Sequence, residues 1–176
     1  MSGHNKWSQI KNKKGANDQK KARIFTKFLK AISVVARDDK DPNSNPRLRS
    51  AIEKARAFEV TNENIERAIN KSSEGKVFDE VIYEAYGPEK VAIIIKTLTD
   101  NKNRTLADLK KVLQNNNAKI ADQGSVLWAF KSENYEFIPL YPQKISDEGN
   151  KVLEKIVEEL EDLDDISEVV TSRDKQ

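Results

Sequence analysis

The chain has no cysteine, and histidine occurs once, at His4. The first absence excludes a disulfide framework, a thiolate metal site and a cysteine nucleophile. A single His without Cys makes no usual zinc site, so His4 reads as a solvated side chain or one that touches a phosphate. Long apolar runs are also missing. The longest, VAIII at 91–95, is the length of a strand, and no stretch of about 18 apolar residues is there to span a membrane. No G-x-S-x-G elbow, phosphate-binding P-loop or dinucleotide fingerprint occurs. The acidic run EELEDLDD (158–165) is most simply a solvated helix end. The expectation is a protein with no catalytic residues, no metal, no cofactor and no small-molecule substrate. The lack of cysteine agrees with a reducing, cytoplasmic setting.

What is abundant is charge. Of the 176 residues, 34% are Asp, Glu, Lys or Arg and only 37% are hydrophobic. That balance suits small cores beneath a large solvated surface. The net +2 conceals a polarity. Residues 1–76 hold 18 Lys and Arg against 9 Asp and Glu, a balance of +9, whereas residues 77–176 hold 13 against 20, a balance of −7. Such asymmetry points to one half that faces a polyanion and another that solvates or meets a partner. The division expected from it is a basic module over 1–76 and an acidic α+β domain over 77–176.

Hydrophobic spacing gives the elements. Residues 1–16 read as a basic arm. Asn17 or Asp18 is placed to cap a helix whose stripe is Phe25, Phe28, Leu29, Ile32, Val35 and Ala36. The turn-rich RDDKDPNSNP follows. Pro46 suits the first turn of a second helix, with Leu48, Ala51, Ile52, Ala55 and Phe58 inward. A third, short helix is capped by Thr61 or Asn62 and turns Ile65, Ala68 and Ile69 inward. SSEGK (72–76) is a linker by composition. Beyond it, FDEVIYEAYG (78–87), VAIIIKTLT (91–99), SVLWAF (125–130), YEFIPLY (135–141) and Ile166–Val170 read as strands, with Pro139 confining its strand to an edge or bulge. Helices follow DNKNRT (100–105), carrying Leu106, Leu109, Val112 and Leu113, and Ser146, carrying Val152, Leu153, Ile156, Val157, Leu160 and Leu163. The expected fold is therefore α plus α+β: a three-helix module, then a mostly antiparallel sheet with two helices on one face.

The strongest chemical signal lies between Lys6 and Lys30, where nine basic residues meet one acid, Asp18. Lysine and arginine pair with phosphates and release counterions. Lys6, Lys11, Lys13, Lys14, Lys20, Lys21, Arg23 and Lys27 span the arm and first helix; Lys20, Arg23 and Lys27 lie three and four apart on one face, away from Phe25, Phe28 and Leu29. Arg47, Arg49, Lys54 and Arg56 fall largely off the second helix's apolar stripe and extend the field. Trp7, in a polar arm, fits either base stacking or ordinary packing. A merely solvated lysine-rich helix is the plainer reading of the segment, and the near absence of acids weighs against it. A mitochondrial presequence would be rich in Arg and Ser, whereas this segment is rich in Lys and Asn and runs directly into a patterned helix. In TDNKNRT (99–105), Asn101, Asn103, Arg104 and Thr105 stand at a helix entrance where backbone N–H groups can receive an anion. Spacing favours capping there, with Asn103 or Thr105 as N-cap and Asp108 in the first turn.

The segments SGHNKW (2–7), IKNKKGANDQKKARIFTK (10–27), NPRLRSAIEKARA (45–57), NIERAI (64–69), YEAYGP (83–88), TDNKNRT (99–105), GSVLWAF (124–130) and EDLDDISEVVTS (161–172) together resemble the YebC family. That family includes bacterial proteins labelled probable transcriptional regulators and the mitochondrial translational activator of cytochrome oxidase. The resemblance implies a helical domain and two α/β domains, one inserted into the other, and no enzymatic activity. After WAFKSE (128–133) this chain passes almost at once into YEFIPLYPQKIS, so the inserted domain is expected to be absent near 131–136. Two functions are implied: sequence-specific DNA binding in transcription, or association with the ribosome that eases translation through stretches such as consecutive prolines. The helices show lysines rather than a helix-turn-helix pattern, and a Lys/Asn/Gly arm with one aromatic suits folded RNA. Ribosomal RNA is thus the favoured partner and DNA the alternative. A protein-interaction module acting through the acidic half is a third reading.

Overall fold

The computed structural model describes residues 18–74 and 76–174. The chain divides at Val77/Phe78 into two compact units.

In the first unit, α1 (Asp18–Val35), α2 (Pro46–Ala57) and α3 (Asn62–Asn70) enclose Ile32, Val35, Leu48, Ile52, Ala55, Val60 and Ile65. Asn45 is the pivot between the first two helices. Its Oδ1 accepts the Leu48 N–H at 3.0 Å as N-cap, with Pro46 in the first turn, and its Nδ2 donates to the Val35 and Asp39 carbonyls at 2.9 and 2.8 Å. One buried amide thus satisfies groups at the end of α1 and the start of α2. The two helices run antiparallel, with the Phe28 and Phe58 rings 4.9 Å apart at the other end. Thr61 caps α3. The segment predicted as a linker begins as a 3₁₀ turn, Lys71–Ser73, in which Ser72 is buried. Arg37 at the end of α1 donates through Nε to the Ser72 carbonyl at 2.9 Å and through Nη2 to that of Lys76.

The second unit is built on an antiparallel sheet in the order β3-β1-β2-β6, formed by β1 (Asp79–Tyr86), β2 (Ala92–Thr99), β3 (Lys119–Ile120) and β6 (Ile166–Thr171). Helices α4 (Lys102–Asn115) and α5 (Asp147–Glu161) cover one face, packing Leu109, Leu113, Leu153, Ile156 and Leu160 on Ala85, Ile93 and Ile95. The opposite face carries Ala92, Ile94 and Val170, covered by Val126, Ala129 and Phe130. Burial on both faces explains why VAIII is continuous rather than alternating. Strands β4 (Phe130–Glu133) and β5 (Glu136–Pro139) form a separate two-stranded hairpin.

Two local expectations change. SVLWAF is not one strand: Leu127–Ala129 forms a 3₁₀ turn and the strand begins at Phe130. The cause lies on β1. Glu84 is buried, and its carboxylate accepts the N–H groups of Gly124, Val126 and Leu127 at 2.5, 2.6 and 2.8 Å, curling that segment around itself. YEFIPLY contributes β5 to the hairpin and not to the main sheet, with Pro139 at its end. After α4 ends at Asn115, Lys119 and Ile120 pair with Tyr86 and Ala85 as a short edge strand.

Candidate nucleic-acid interface

Helix α1 has apolar residues at 24, 28, 32 and 35, so its opposite side is occupied by residues at 20, 23, 27 and 30. Lys20, Arg23 and Lys27 therefore share one stripe, and Lys30 continues it at the same three-and-four spacing. Lys30 was not among the residues singled out from the sequence, although the same spacing places it on this stripe. Asp18 is the only acid in the helix. The cations sit early: Lys20 and Lys21 are in the first turn and the last turn holds none. The helix macrodipole disfavours Lys20 and Lys21 at that end and is indifferent to the mid-helix Arg23, Lys27 and Lys30.

Lys21 leaves the stripe. Its ammonium lies 3.5 Å from the Glu59 carboxylate and 5.6 Å from the centre of the Phe25 ring. Glu59 follows α2 at a positive φ of 64°, in the turn that leads to α3. On α2 the four basic residues separate into two pairs, each seven residues apart: Arg47 with Lys54, and Arg49 with Arg56, on opposite flanks of the buried Leu48–Ile52–Ala55 side. Arg56 Nε donates to Asn62 Oδ1 at 3.1 Å, tying α2 to the start of α3. His4, Lys6, Trp7, Lys11, Lys13 and Lys14 lie outside the described residues.

The TDNKNRT loop has a different character. The N-cap of α4 is Asn101, whose Oδ1 accepts the Arg104 N–H at 3.1 Å; neither Asn103 nor Thr105 takes that role, and Asp108 lies past the first turn. Thr105 is buried, its hydroxyl 2.7 Å from both Asp165 Oδ2 and Thr99 Oγ1. Arg104 Nη2 donates to Asp165 at 2.7 Å and Asp100 at 2.8 Å, and these bonds, Asp165 first, raise its pKa. Asn103 is exposed. Burial raises the pKa of nearby Tyr83, whose hydroxyl is 3.3 Å from the Lys102 carbonyl. These residues lock the helix entrance to the turn before β6, with two carboxylates balancing the one guanidinium.

Among the described residues, no group of three or more acidic or His side chains is arranged to hold a metal, and no helix is long and apolar enough to cross a membrane.

A lysine-striped helical unit joined to an acidic antiparallel α+β unit is the class of protein this fold and surface define. The TACO1/YebC protein N-terminal domain matches residues 5–75, and the TACO1/YebC second and third domain matches residues 78–135. The chain belongs to the YebC/TACO1 family. It is 45% identical over 144 residues to a probable transcriptional regulatory protein of Chlorobium luteolum, covering 80% of this chain and 58% of that one. A protein of the same name from Chlorobium chlorochromatii is 44% identical over 169 residues, covering 93% of this chain and 66% of the relative. The chain thus spans less than two thirds of the length of these curated relatives. In structure it is similar to a conserved hypothetical protein of Aquifex aeolicus, with TM-score 0.78 and 26% identity over 93% of this chain and 94% of that one.

Proposed function

We propose that this protein is a non-enzymatic regulatory factor that grips nucleic-acid phosphates through its helical unit, and that its target is folded RNA of the ribosome in the cytoplasm. The observation that carries the reading is the α1 stripe, in which Lys20, Arg23, Lys27 and Lys30 recur at three-and-four spacing along one face of a helix whose only acid is Asp18. The stripe offers phosphate contacts and no base-reading pattern, which suits a partner recognised by shape. Arg47, Arg49, Lys54 and Arg56 extend the field, as do His4, Lys6, Trp7, Lys11, Lys13 and Lys14 of the arm. The loop residues Asn101, Asn103, Arg104 and Thr105 serve the architecture of the second unit and make at most a secondary contact through Asn103.

The second reading is a DNA-binding transcriptional regulator. It is favoured by the names of the relatives, which are probable transcriptional regulatory proteins.

The test is co-sedimentation with ribosomes beside a gel shift on duplex DNA, each across a salt series. Four phosphate contacts from the stripe give a slope of log affinity against log salt of roughly −3 to −4. Glu at positions 23, 27 and 30 is expected to reduce ribosome association at least ~100-fold at moderate salt and to leave the fold intact. Glu at Lys11, Lys13, Lys14 and Lys20 is expected to abolish it. Binding that survives both sets of reversals would sink the phosphate-gripping reading; binding confined to DNA would replace RNA with DNA.

A further inference from the structure

The β4–β5 hairpin turns through Asn134 and Tyr135, both at positive φ (50° and 64°), a two-residue connection. Such a turn makes Glu133 and Glu136 a hydrogen-bonded pair, so bonding to β5 falls on the odd-numbered residues of β4. The Leu140 N–H donating to the Ala129 carbonyl at 2.8 Å continues the same alternation. The even-numbered residues therefore direct their N–H and C=O groups outward. The Phe130 N–H is taken by the Leu127 carbonyl. Ser132 remains, exposed, with both backbone groups on the outer edge of β4. The other edge of the hairpin is different: Pro139 has no N–H to offer there.

The flanking residues are of opposite charge. Lys131 and Glu133 point to the outer face of the hairpin and pair with each other at 2.8 Å, both about half exposed. The Lys131 hydrogen bond holds the Glu133 carboxyl below the ordinary carboxylate range. Five of the seven exposed large hydrophobic side chains among the described residues also gather on this hairpin and its base: Trp128, Tyr135, Ile138, Leu140 and Tyr141. Of these, the Trp128 and Tyr141 rings lie 6.0 Å apart, and apolar side chains gathered on one exposed element favour an interaction surface there.

From this edge we propose that a second copy of the chain pairs antiparallel with β4 about a two-fold axis at Ser132. Each Ser132 then exchanges both backbone hydrogen bonds with its counterpart, and Lys131 stands directly opposite Glu133 of the second copy. The two ion pairs become a four-charge square of alternating sign, which is the favourable cross-strand arrangement. Two hairpins, each marginal as an isolated pair of strands, become one four-stranded sheet. No other register of β4 on itself satisfies both the outward backbone groups of Ser132 and the two charges. The surface is small, so the association belongs to the weak, reversible class, with a dissociation constant on the order of 10–100 μM.

Sedimentation velocity of the full chain between about 5 and 500 μM tests this, with backbone circular dichroism confirming the fold of each variant. A concentration-dependent dimer is expected. Lys131→Glu alone, or Glu133→Lys alone, places like charges across the axis and weakens the dimer at least ~10-fold. The double exchange K131E/E133K restores opposite charges and returns the constant to within about threefold of the original. Ser132→Pro removes the outward N–H without touching the inner ladder and is also expected to abolish the dimer. A monomer across the whole range overturns the proposal. So does a dimer that ignores Ser132→Pro, or one that the double exchange fails to rescue.

Discussion

The two units use polar groups differently. In the helical unit, side-chain hydrogen bonds mainly finish the backbone: Asn45 serves the ends of α1 and α2, Arg37 takes the carbonyls of Ser72 and Lys76, and Thr61 caps α3. In the α+β unit, ionised groups join elements distant in sequence. Glu84 holds the 124–127 segment, Arg104 and Thr105 hold Asp165, Lys96 pairs with Glu168 across β2 and β6 at 2.7 Å, and Asn116 reaches Glu159 at 2.7 Å to link α4 with α5. The helical unit thus carries a cationic stripe along α1, while the acidic half ties many of its charges to one another across the fold. Net charge alone, +9 against −7, does not show how differently the two halves place their charges.

That contrast can be broken in graded steps. The largest effect comes from the core of the sheet. Ile95→Ala is expected to destabilise the second unit by about 2–5 kcal/mol. Hydrogen exchange should then accelerate in β1, β2 and β6 and stay unchanged in α1 and α2, because the two cores share no residue. Glu84→Ala comes next. It leaves three N–H groups without their acceptor and is expected to cost about 3 kcal/mol, with Trp128 fluorescence shifting as the turn loosens. A change of less than about 0.5 kcal/mol would show that the carboxylate is dispensable. Asn45→Ala acts in the helical unit alone, by about 1–2 kcal/mol, read from its thermal unfolding. The smallest effect is on a single proton. The Ser44 hydroxyl, with help from the Asp41 N–H, holds the Asp39 carboxyl below its ordinary range. The resulting stabilisation is present at neutral pH and is lost as pH falls below about 3.9 through the lower folded value. Ser44→Ala should return the Asp39 carboxyl toward the ordinary value in an NMR titration, with little change in overall stability.

Much of this architecture was legible because its determinants are local. The spacing of Phe25, Phe28, Leu29, Ile32 and Val35 defines α1 and, by difference, the stripe at 20, 23 and 27, although that spacing omits the buried Ile24. Pro46, Thr61 and Ser146 mark helix starts through chemistry confined to four residues. The failures share a cause of the opposite kind. GSVLWAF has the composition of a strand, but its path is set by Glu84, about forty residues earlier in the chain. TDNKNRT offers several capable caps, and Thr105 is removed from that competition by Asp165, sixty residues later. Lys21 has the same residue type as Lys20, yet the turn at Glu59 supplies it with an acid. In each case the deciding partner is remote in sequence, and periodicity carries no record of it.

Glu84 also has a thermodynamic consequence for the surface beside it. Because its carboxylate fixes the amides of Gly124, Val126 and Leu127 as the unit folds, and Trp128 Nε1 donates to the Ser125 carbonyl at 2.7 Å, the 124–128 turn is ordered before anything touches it. The indole stands 65% exposed on a support that has already surrendered its conformational freedom. A molecule meeting Trp128 encounters a pre-organised face, and the affinity it gains there is not diminished by the entropy of ordering a loop.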